Sequence, residues 1–332
     1  MLCVKNQKGW SLRTARTSLA EKVTVIQTYG KINSMIFSII IPTYNRKHLL
    51  KKCLSSLFTQ TFPKDQYEVI VVDDGSPPEA DFPPEADWGL SADMWQTTVP
   101  FRFLTQKHKG PAAARNLGIK NAKGEIIAFT DDDCVPPANW LQKLYDGFKR
   151  HPEVAVVSGY QEAPEEILQK NVTAQYERFQ TRQLYGGKDK EIVGGMQTPG
   201  GVTNNMAIRK EVFDKVGLFD ENFPVPAGED ADLKKRIARD GFKFLYIPLK
   251  VEHYQEYSLA GFLKQQYARG IGGSFFRKKW GRSRVDWLLP IKSIPRFFIT
   301  WWQGRSLKMA ALEFLGRLAM FVGELKKFKI KN

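Results

Sequence analysis

The sequence predicts an α/β protein: a Rossmann-like, mostly parallel sheet flanked by helices, followed by a basic helical extension. Three observations lead there. Apolar runs at 36–41, 67–72 and 126–129 alternate with segments of helical hydrophobic period, the pattern of strand–helix–strand units. Each run ends in polar residues, as expected where a parallel sheet delivers side chains to a ligand-binding edge. The net charge of +15 is unevenly placed, with +5 in residues 1–35 and +12 in residues 255–332, so the stretch between carries −2. A near-neutral domain thus sits between two basic ends, and 42% hydrophobic residues suffice for a packed core.

The elements follow in order. Residues 1–35 lack a continuous apolar core flanked like a signal peptide, and Met35 directly before the first strand marks them as an upstream extension of the domain. The first strand, 36–41, ends at Pro42-Thr43-Tyr44-Asn45-Arg46, and Leu49, Leu50, Cys53, Leu54, Leu57 and Phe58 predict a helix over 47–59. A second strand, 67–72, ends at Asp73-Asp74-Gly75-Ser76. No GxGxxG or GxxxxGK[ST] follows either strand, which leaves dinucleotide and P-loop chemistry without support. Pro-Pro-Glu-Ala-Asp occurs at 77–81 and again at 83–87, a surface insertion by its prolines and acids. A short strand at 101–104 leads to Gly110-Pro111 and an Ala-rich helix over 112–122 bearing Arg115 and Asn116.

Next comes Ile126 to Cys134, in which an apolar strand runs into three carboxylates. Ionised carboxylates cannot enter a core unpaired, so they emerge at the strand's C-terminal end. In an extended chain Asp131 and Asp133 share one side and Asp132 takes the other. Two converging carboxylates suit a hard divalent cation that also holds phosphates, and a solvated acidic turn is the simpler alternative. A helix over 140–150, a strand over 154–158 and a polar helical stretch over 165–183 follow. Glycine pairs 194–195 and 200–201 mark either close backbone approach to a ligand or a loop. Residues 204–208 and a helix over 211–216 precede Gly228-Glu229-Asp230-Ala231-Asp232, which opens a helix over 233–239. The last strand, 243–247, stops before Pro248, with His253 just beyond. Three cysteines (Cys3, Cys53, Cys134) with no CxxC form neither a disulfide framework nor a zinc site, and they fit a reducing compartment.

Six motifs, in order, resemble the family-2 glycosyltransferases, inverting sugar transferases of the GT-A fold. They lie at 38–46 (Ser-Ile-Ile-Ile-Pro-Thr-Tyr-Asn-Arg), 71–76 (Val-Val-Asp-Asp-Gly-Ser), 110–118 (Gly-Pro-Ala-Ala-Ala-Arg-Asn-Leu-Gly), 129–133 (Phe-Thr-Asp-Asp-Asp), 217–221 (Gly-Leu-Phe-Asp-Glu) and 228–233 (Gly-Glu-Asp-Ala-Asp-Leu). The resemblance spans residues 36–257 and implies a nucleotide-diphosphate-sugar donor and a divalent metal, Mg2+ or Mn2+. By matching position it implies that Pro42, Tyr44, Asp73, Asp74 and Arg115 hold the nucleoside, with Asp131 at the ribose and Asp132 beside it. It implies further that Asp133 and His253 ligate the metal, that Asp230 is the base, and that Glu229 and Asn205 lie on the acceptor side. One base without an enzyme nucleophile means single displacement with inversion. Processive relatives carry Gln-x-x-Arg-Trp, whereas this chain has Gln266-Tyr267-Ala268-Arg269-Gly270, which favours one sugar per visit.

Residues 258–332 stand outside the catalytic resemblance. Charges interrupt both apolar stretches, 285–302 and 307–325, so neither has the ~20 apolar residues of a spanning helix. Basic residues among Trp, Phe and Leu suit segments lying in an anionic membrane interface, at the cytoplasmic face. The alternative is a helical subdomain packed on the catalytic domain or on a dimer partner. Nucleic-acid binding is disfavoured because the basic residues avoid the site-bearing domain and no binding motif occurs. A sugar-phosphate nucleotidyltransferase would share the sheet and acids but leave Asp230 without a purpose.

Overall fold

Strand β4 (Phe37–Thr43) is buried along its whole length, as an apolar run covered on both faces must be. The computed structural model describes residues 34–77, 98–185, 189–281 and 306–326, with short strands β1 (Leu2–Asn6), β2 (Gly9–Arg13) and β3 (Val23–Thr24) before them and helical positions 294, 295, 298 and 302. The duplicated Pro-Pro-Glu-Ala-Asp segment beyond Pro77, and most of 282–305, lie outside the described residues.

Strand β4 pairs in parallel with β5 (Tyr67–Asp73) and with β7 (Ile126–Phe129), and β6 (Phe101–Thr105) extends this parallel block beyond β5. Alternation along β4 divides the core. Ile39 and Ile41 pack with Leu50, Leu54 and Leu57 of α1 (Lys47–Phe58), whereas Ile40 packs with Ala114 and Leu117 of α2 (Pro111–Asn121). After β8 (Cys134–Val135), α3 (Trp140–Arg150) adds Trp140 and Leu144 to the α1 side.

The second half weaves into the same sheet. Strand β9 (Val154–Glu162) is followed by α4 (Glu165–Leu168), α5 (Val172–Tyr185), β10 (Ile192–Gly194) and β11 (Met206–Arg209). Strand β11 runs antiparallel between β7 and β9. Helices α6 (Glu211–Val216) and α7 (Glu229–Arg239) precede β12 (Lys243–His253), which is parallel to β9 and antiparallel to β10 and β8. The strand order is β10-β12-β9-β11-β7-β4-β5-β6-β3.

Three expectations change. The helix expected over 165–183 is broken, because the Asn171 side chain accepts from the Thr173 and Ala174 amides and starts α5 afresh. The last strand continues through Pro248 to His253; its register with β9 shifts between Tyr246 and Lys250, so Pro248 costs no ladder bond there. Helix α7 begins at Glu229, which puts the acid pair in its first turn.

The tail helices α8 (Leu259–Lys279) and α9 (Leu307–Glu324) pack against each other and against the catalytic half. No described helix is long and apolar enough to cross a membrane. A Cβ on Gly270 would lie 1.9 Å from the Met320 carbonyl oxygen, so the place where the processive motif carries Trp is where α8 meets the α9 backbone. A Cβ on Gly272 would lie 1.9 Å from the Ala227 carbonyl oxygen, just before the acid pair of α7. Trp280 Nε1 donates to Asp232 Oδ1 (3.0 Å), and Lys279 pairs with Asp232 (2.8 Å) and Asp220 (2.6 Å). The first tail helix therefore braces the helix bearing Glu229 and Asp230. Gly272→Ala is expected to cost about 1–3 kcal/mol of stability, the usual range for overpacking, and to lower turnover by displacing Ala227. Thermal melts and initial rates check this, and an unchanged melting temperature would count against the bracing contact.

Candidate active site

The acids collect at the C-terminal ends of β5 and β7, beside the end of β4, which delivers Thr43 and Arg46. After β7 the chain turns rather than extending, closed by Cys134 N donating to the Asp131 carbonyl (3.1 Å). The expected two-against-one arrangement of the triplet is corrected accordingly. Asp132 and Asp133 both meet Arg46 Nη1, at 3.3 and 3.0 Å, while Asp131 turns to Arg115 Nη2 at 2.9 Å. Thr43 Oγ1 donates to Asp132 Oδ2 (2.8 Å) from the end of β4. Burial first, and then the Asp133 charge, push Asp132 up to about 7.

His253 reaches this turn by strand register. Strand β12 sets His253 opposite Cys134 of β8, and Tyr254 N donates to the Asp133 carbonyl (2.7 Å). His253 Nε2 lies 3.3 Å from Asp133 Oδ1. Although burial opposes both shifts, Asp133 is held down to about 2 by His253 and Arg46, and His253 is raised by Asp133. Asp133, Cys134 and His253 offer donor atoms within 4.8 Å of one another. Burial, and then the Asp133 charge, push the Cys134 thiol well up, so it keeps its proton and is a poor ligand for a hard cation. Carboxylate oxygen and imidazole nitrogen remain, a donor pair that fits Mg2+ or Mn2+.

Arg115, fully within the protein, joins the two halves of the site. Its second nitrogen, Nη1, lies 3.1 Å from Glu229 Oε1. Its neighbour Asn116 fixes the 217–221 segment, donating to the Phe219 carbonyl (2.9 Å) and Glu221 Oε1 (2.7 Å) and accepting from Phe219 N (2.9 Å). The buried Glu229 is pushed up to about 7 by desolvation and by Asp230, and its Oε2 has no hydrogen-bond partner among the described residues. Asp230 is raised chiefly by desolvation, and its Oδ1 accepts from Ala231 N (2.7 Å). Lys234, one turn on, donates to the Thr198 and Gly200 carbonyls at 2.5 and 2.9 Å, tying the glycine-rich loop to the acid-bearing helix.

The nucleoside side is more finely divided than the motif suggests. Asp74 accepts from Gln106 Nε2 (2.7 Å), Lys109 N (2.9 Å) and Gly110 N (2.8 Å), with His108 Nδ1 at 2.9 Å, so it anchors the loop before α2. Asp73 meets the neighbouring turn, accepting from the Ser76 amide at 3.2 Å, from its hydroxyl and from the Gly75 amide, and is the freer of the two. Tyr44, half exposed, lies against His108 with ring centres 4.4 Å apart, and Pro42 is buried in β4 beneath them. Asn205 is corrected: it is fully buried, accepts from Trp140 Nε1 (2.9 Å) and donates to the Tyr160 and Leu249 carbonyls (3.0 and 2.8 Å). Its amide locks β9, β12 and α3 together, with both N–H groups committed to backbone carbonyls. Arg46, Thr43, His108 and Lys234 received no role from the sequence. Arg46 and Thr43 lie inside a recognised motif, but only the turn at 131–134 shows what they face.

This sheet, with acids at one edge and a helix-borne acid pair across from them, is the GT-A arrangement of glycosyltransferases. The chain belongs to glycosyl transferase family 2, whose model matches residues 38–217. It is 28% identical over 245 residues to Glycosyltransferase AglE of Haloferax volcanii, covering 71% of this chain and 72% of that protein. It is 25% identical over 259 residues to the dolichyl N-acetyl-alpha-D-glucosaminyl phosphate 3-beta-D-2,3-diacetamido-2,3-dideoxy-beta-D-glucuronosyltransferase of Methanococcus voltae, covering 76% and 77%. Among solved structures it resembles the mannosyltransferase PcManGT of Pyrobaculum calidifontis in complex with GDP-Man and Mn2+, with a TM-score of 0.59, 17% identity and 89% of each chain covered. The protein is a glycosyltransferase.

Proposed function

We propose that this enzyme moves one sugar per visit from a nucleotide-diphosphate-sugar donor to a hydroxyl of a saccharide or lipid-linked saccharide, by single displacement with inversion, in cell-surface polysaccharide or glycolipid synthesis. The observation that carries this reading is Arg115, whose two nitrogens bind Asp131 on the donor side and Glu229 on the opposite side, beside Asp230. Tyr44, Asp73 and Asp131 face the nucleoside. Asp133 and His253 would hold a divalent cation, Mg2+ or Mn2+, whose charge offsets that gathering on the leaving diphosphate. Asp230 takes the proton of the attacking hydroxyl, while Arg115 keeps Glu229 from turning into its place. A donor of this class is supported by the GDP-Man complex of the structural relative, and a lipid-linked acceptor by the dolichyl-linked substrate in the Methanococcus voltae relative's name. A thermal-shift panel of nucleotide-sugars with Mn2+ tests the donor. Stabilisation by one nucleotide class is expected, and a flat response across UDP-, GDP- and dTDP-sugars would overturn it.

The acceptor's place follows from the tail. Of the eleven exposed large hydrophobic residues among those described, eight lie between Ile294 and Leu325, with Phe314, Leu318 and Val322 at helical spacing on α9. Residues 255–332 carry +12 in all, with +6 in 255–293 and +4 in 326–332 on either side of this region, which itself holds +2. An apolar stripe beside clustered cations fits an anionic bilayer surface, where each Lys or Arg contributes on the order of 1 kcal/mol. On this reading the enzyme works peripherally, at the cytoplasmic face of the membrane. Full-length protein is expected to sediment with phosphatidylglycerol vesicles at low salt, to be partly released at high salt, and to be lost from them in Leu318→Glu/Val322→Glu. A protein that stays in the supernatant, or one whose stripe instead forms a dimer, overturns the membrane placement.

A further inference from the structure

Asp133 already has a nitrogen partner on each oxygen. His253 Nε2 lies 3.3 Å from Oδ1, and Arg46 Nη1 lies 3.0 Å from Oδ2 while also meeting Asp132 Oδ1 at 3.3 Å. The two arginine contacts differ in kind from that of His253. A neutral imidazole can share a cation with Asp133 as a second ligand, whereas a guanidinium has no lone pair to give and can only compete. Arg46 also approaches from solvent. Its side chain is 52% exposed, while the carboxylates that it meets are only 5% and 8% exposed. It follows Asn45, the one described non-glycine residue with positive φ (54°), whose amide is held by Ser76 Oγ (2.8 Å). The backbone is therefore pinned at Asn45, while the long side chain beyond it reaches the carboxylates from the solvent side.

We propose that Arg46 is an internal counter-ion that competes with the divalent cation for Asp132 and Asp133 and turns to the donor's diphosphate when metal and nucleotide arrive together. The inference rests on the donor and metal reading above, and it adds an order of binding. Metal alone must displace a guanidinium from two buried carboxylates and leave that charge without a partner. Metal with a nucleoside diphosphate supplies the guanidinium with new phosphate oxygens, which a planar, always-charged fork binds well. Cation and donor are then taken up as a unit, and free metal is held weakly.

The test uses the full-length protein, Mn2+ as the metal, and UDP and GDP as the nucleotide probes. Mn2+ binding is read from the loss of the free-ion electron paramagnetic resonance signal, and nucleotide binding by calorimetry, for the parent, Arg46→Gln and Arg46→Lys. Without nucleotide, Arg46→Gln is expected to bind Mn2+ about tenfold more tightly, the scale of one charge-assisted hydrogen bond removed from competition. With Mn2+ present, the same variant is expected to bind the preferred nucleotide about tenfold more weakly, because the phosphate contact is gone. Arg46→Lys, which keeps the charge and loses the fork, should fall between. Opposite signs in the two measurements are the signature, since a variant that merely loosened the fold would weaken both. Weaker or unchanged Mn2+ binding in Arg46→Gln, or unchanged nucleotide affinity, overturns the inference and leaves the donor reading standing. A parent protein that binds neither nucleotide with Mn2+ overturns the donor reading, and this inference with it.

Discussion

Asp133→Ala is expected to abolish sugar transfer together with Mn2+-dependent nucleotide binding. The carboxylate is buried, held down to about 2 by His253 and Arg46 against the effect of burial, and therefore anionic throughout the working pH range. Removing it leaves His253 as the sole remaining member of the oxygen–nitrogen pair and takes from Arg46 one of its two anchors. Loss of the cation's anchor means loss of the charge that offsets the leaving diphosphate. Turnover and nucleotide calorimetry, each with and without EDTA, check this. Undiminished, EDTA-resistant activity in the variant would remove the metal assignment.

Asp230→Asn keeps shape and size but cannot accept a proton. Turnover is expected to fall by roughly 10²-fold or more, about 2.7 kcal/mol in barrier, with donor affinity nearly unchanged. The pH profile supplies a second readout. Desolvation chiefly raises Asp230, and its neighbour Glu229 is pushed up to about 7 by desolvation and by the Asp230 charge. A base acts deprotonated, so kcat is expected to fall as pH drops through this raised range, above where an ordinary carboxylate would titrate. The coupled pair sets that acid limb jointly, and in Asp230→Asn the residual rate should no longer follow it. If donor binding collapses while bound donor still turns over at the parental rate, the proton goes elsewhere, with Glu229 the first candidate.

Much of the fold was legible because its signals are local. The strands β4, β5 and β7 are continuous apolar runs, and α1 and α3 carry their buried residues at helical spacing. The positions gathering Asp131, Asp133, Asp230 and His253 were legible only through a resemblance, since strand ends and a helix start must be folded before those residues meet. What was not legible depends on geometry without sequence period. The turn at 131–134 swung Asp132 toward Arg46, and a register shift carried β12 past Pro248 to His253. Asn205 shows the same limit from the other side: a polar residue beside a glycine-rich loop proved to be a three-way clasp inside the core. The tail was legible only in part. Its charge and aromatics were visible, but the glycines that let α8 meet Ala227 and Met320 were not distinguishable from ordinary helix glycines.

The central claim is transfer of a glycosyl group by one direct displacement. The measurement that bears on it most directly is product analysis after incubation with the nucleotide-sugar selected by thermal shift, Mn2+ and a panel of saccharide and lipid-linked acceptors. One nucleoside diphosphate released per sugar transferred, with the anomeric configuration inverted in the product by NMR, is the predicted result. Release of pyrophosphate, the mark of a nucleotidyltransferase, or a product of retained configuration would contradict it.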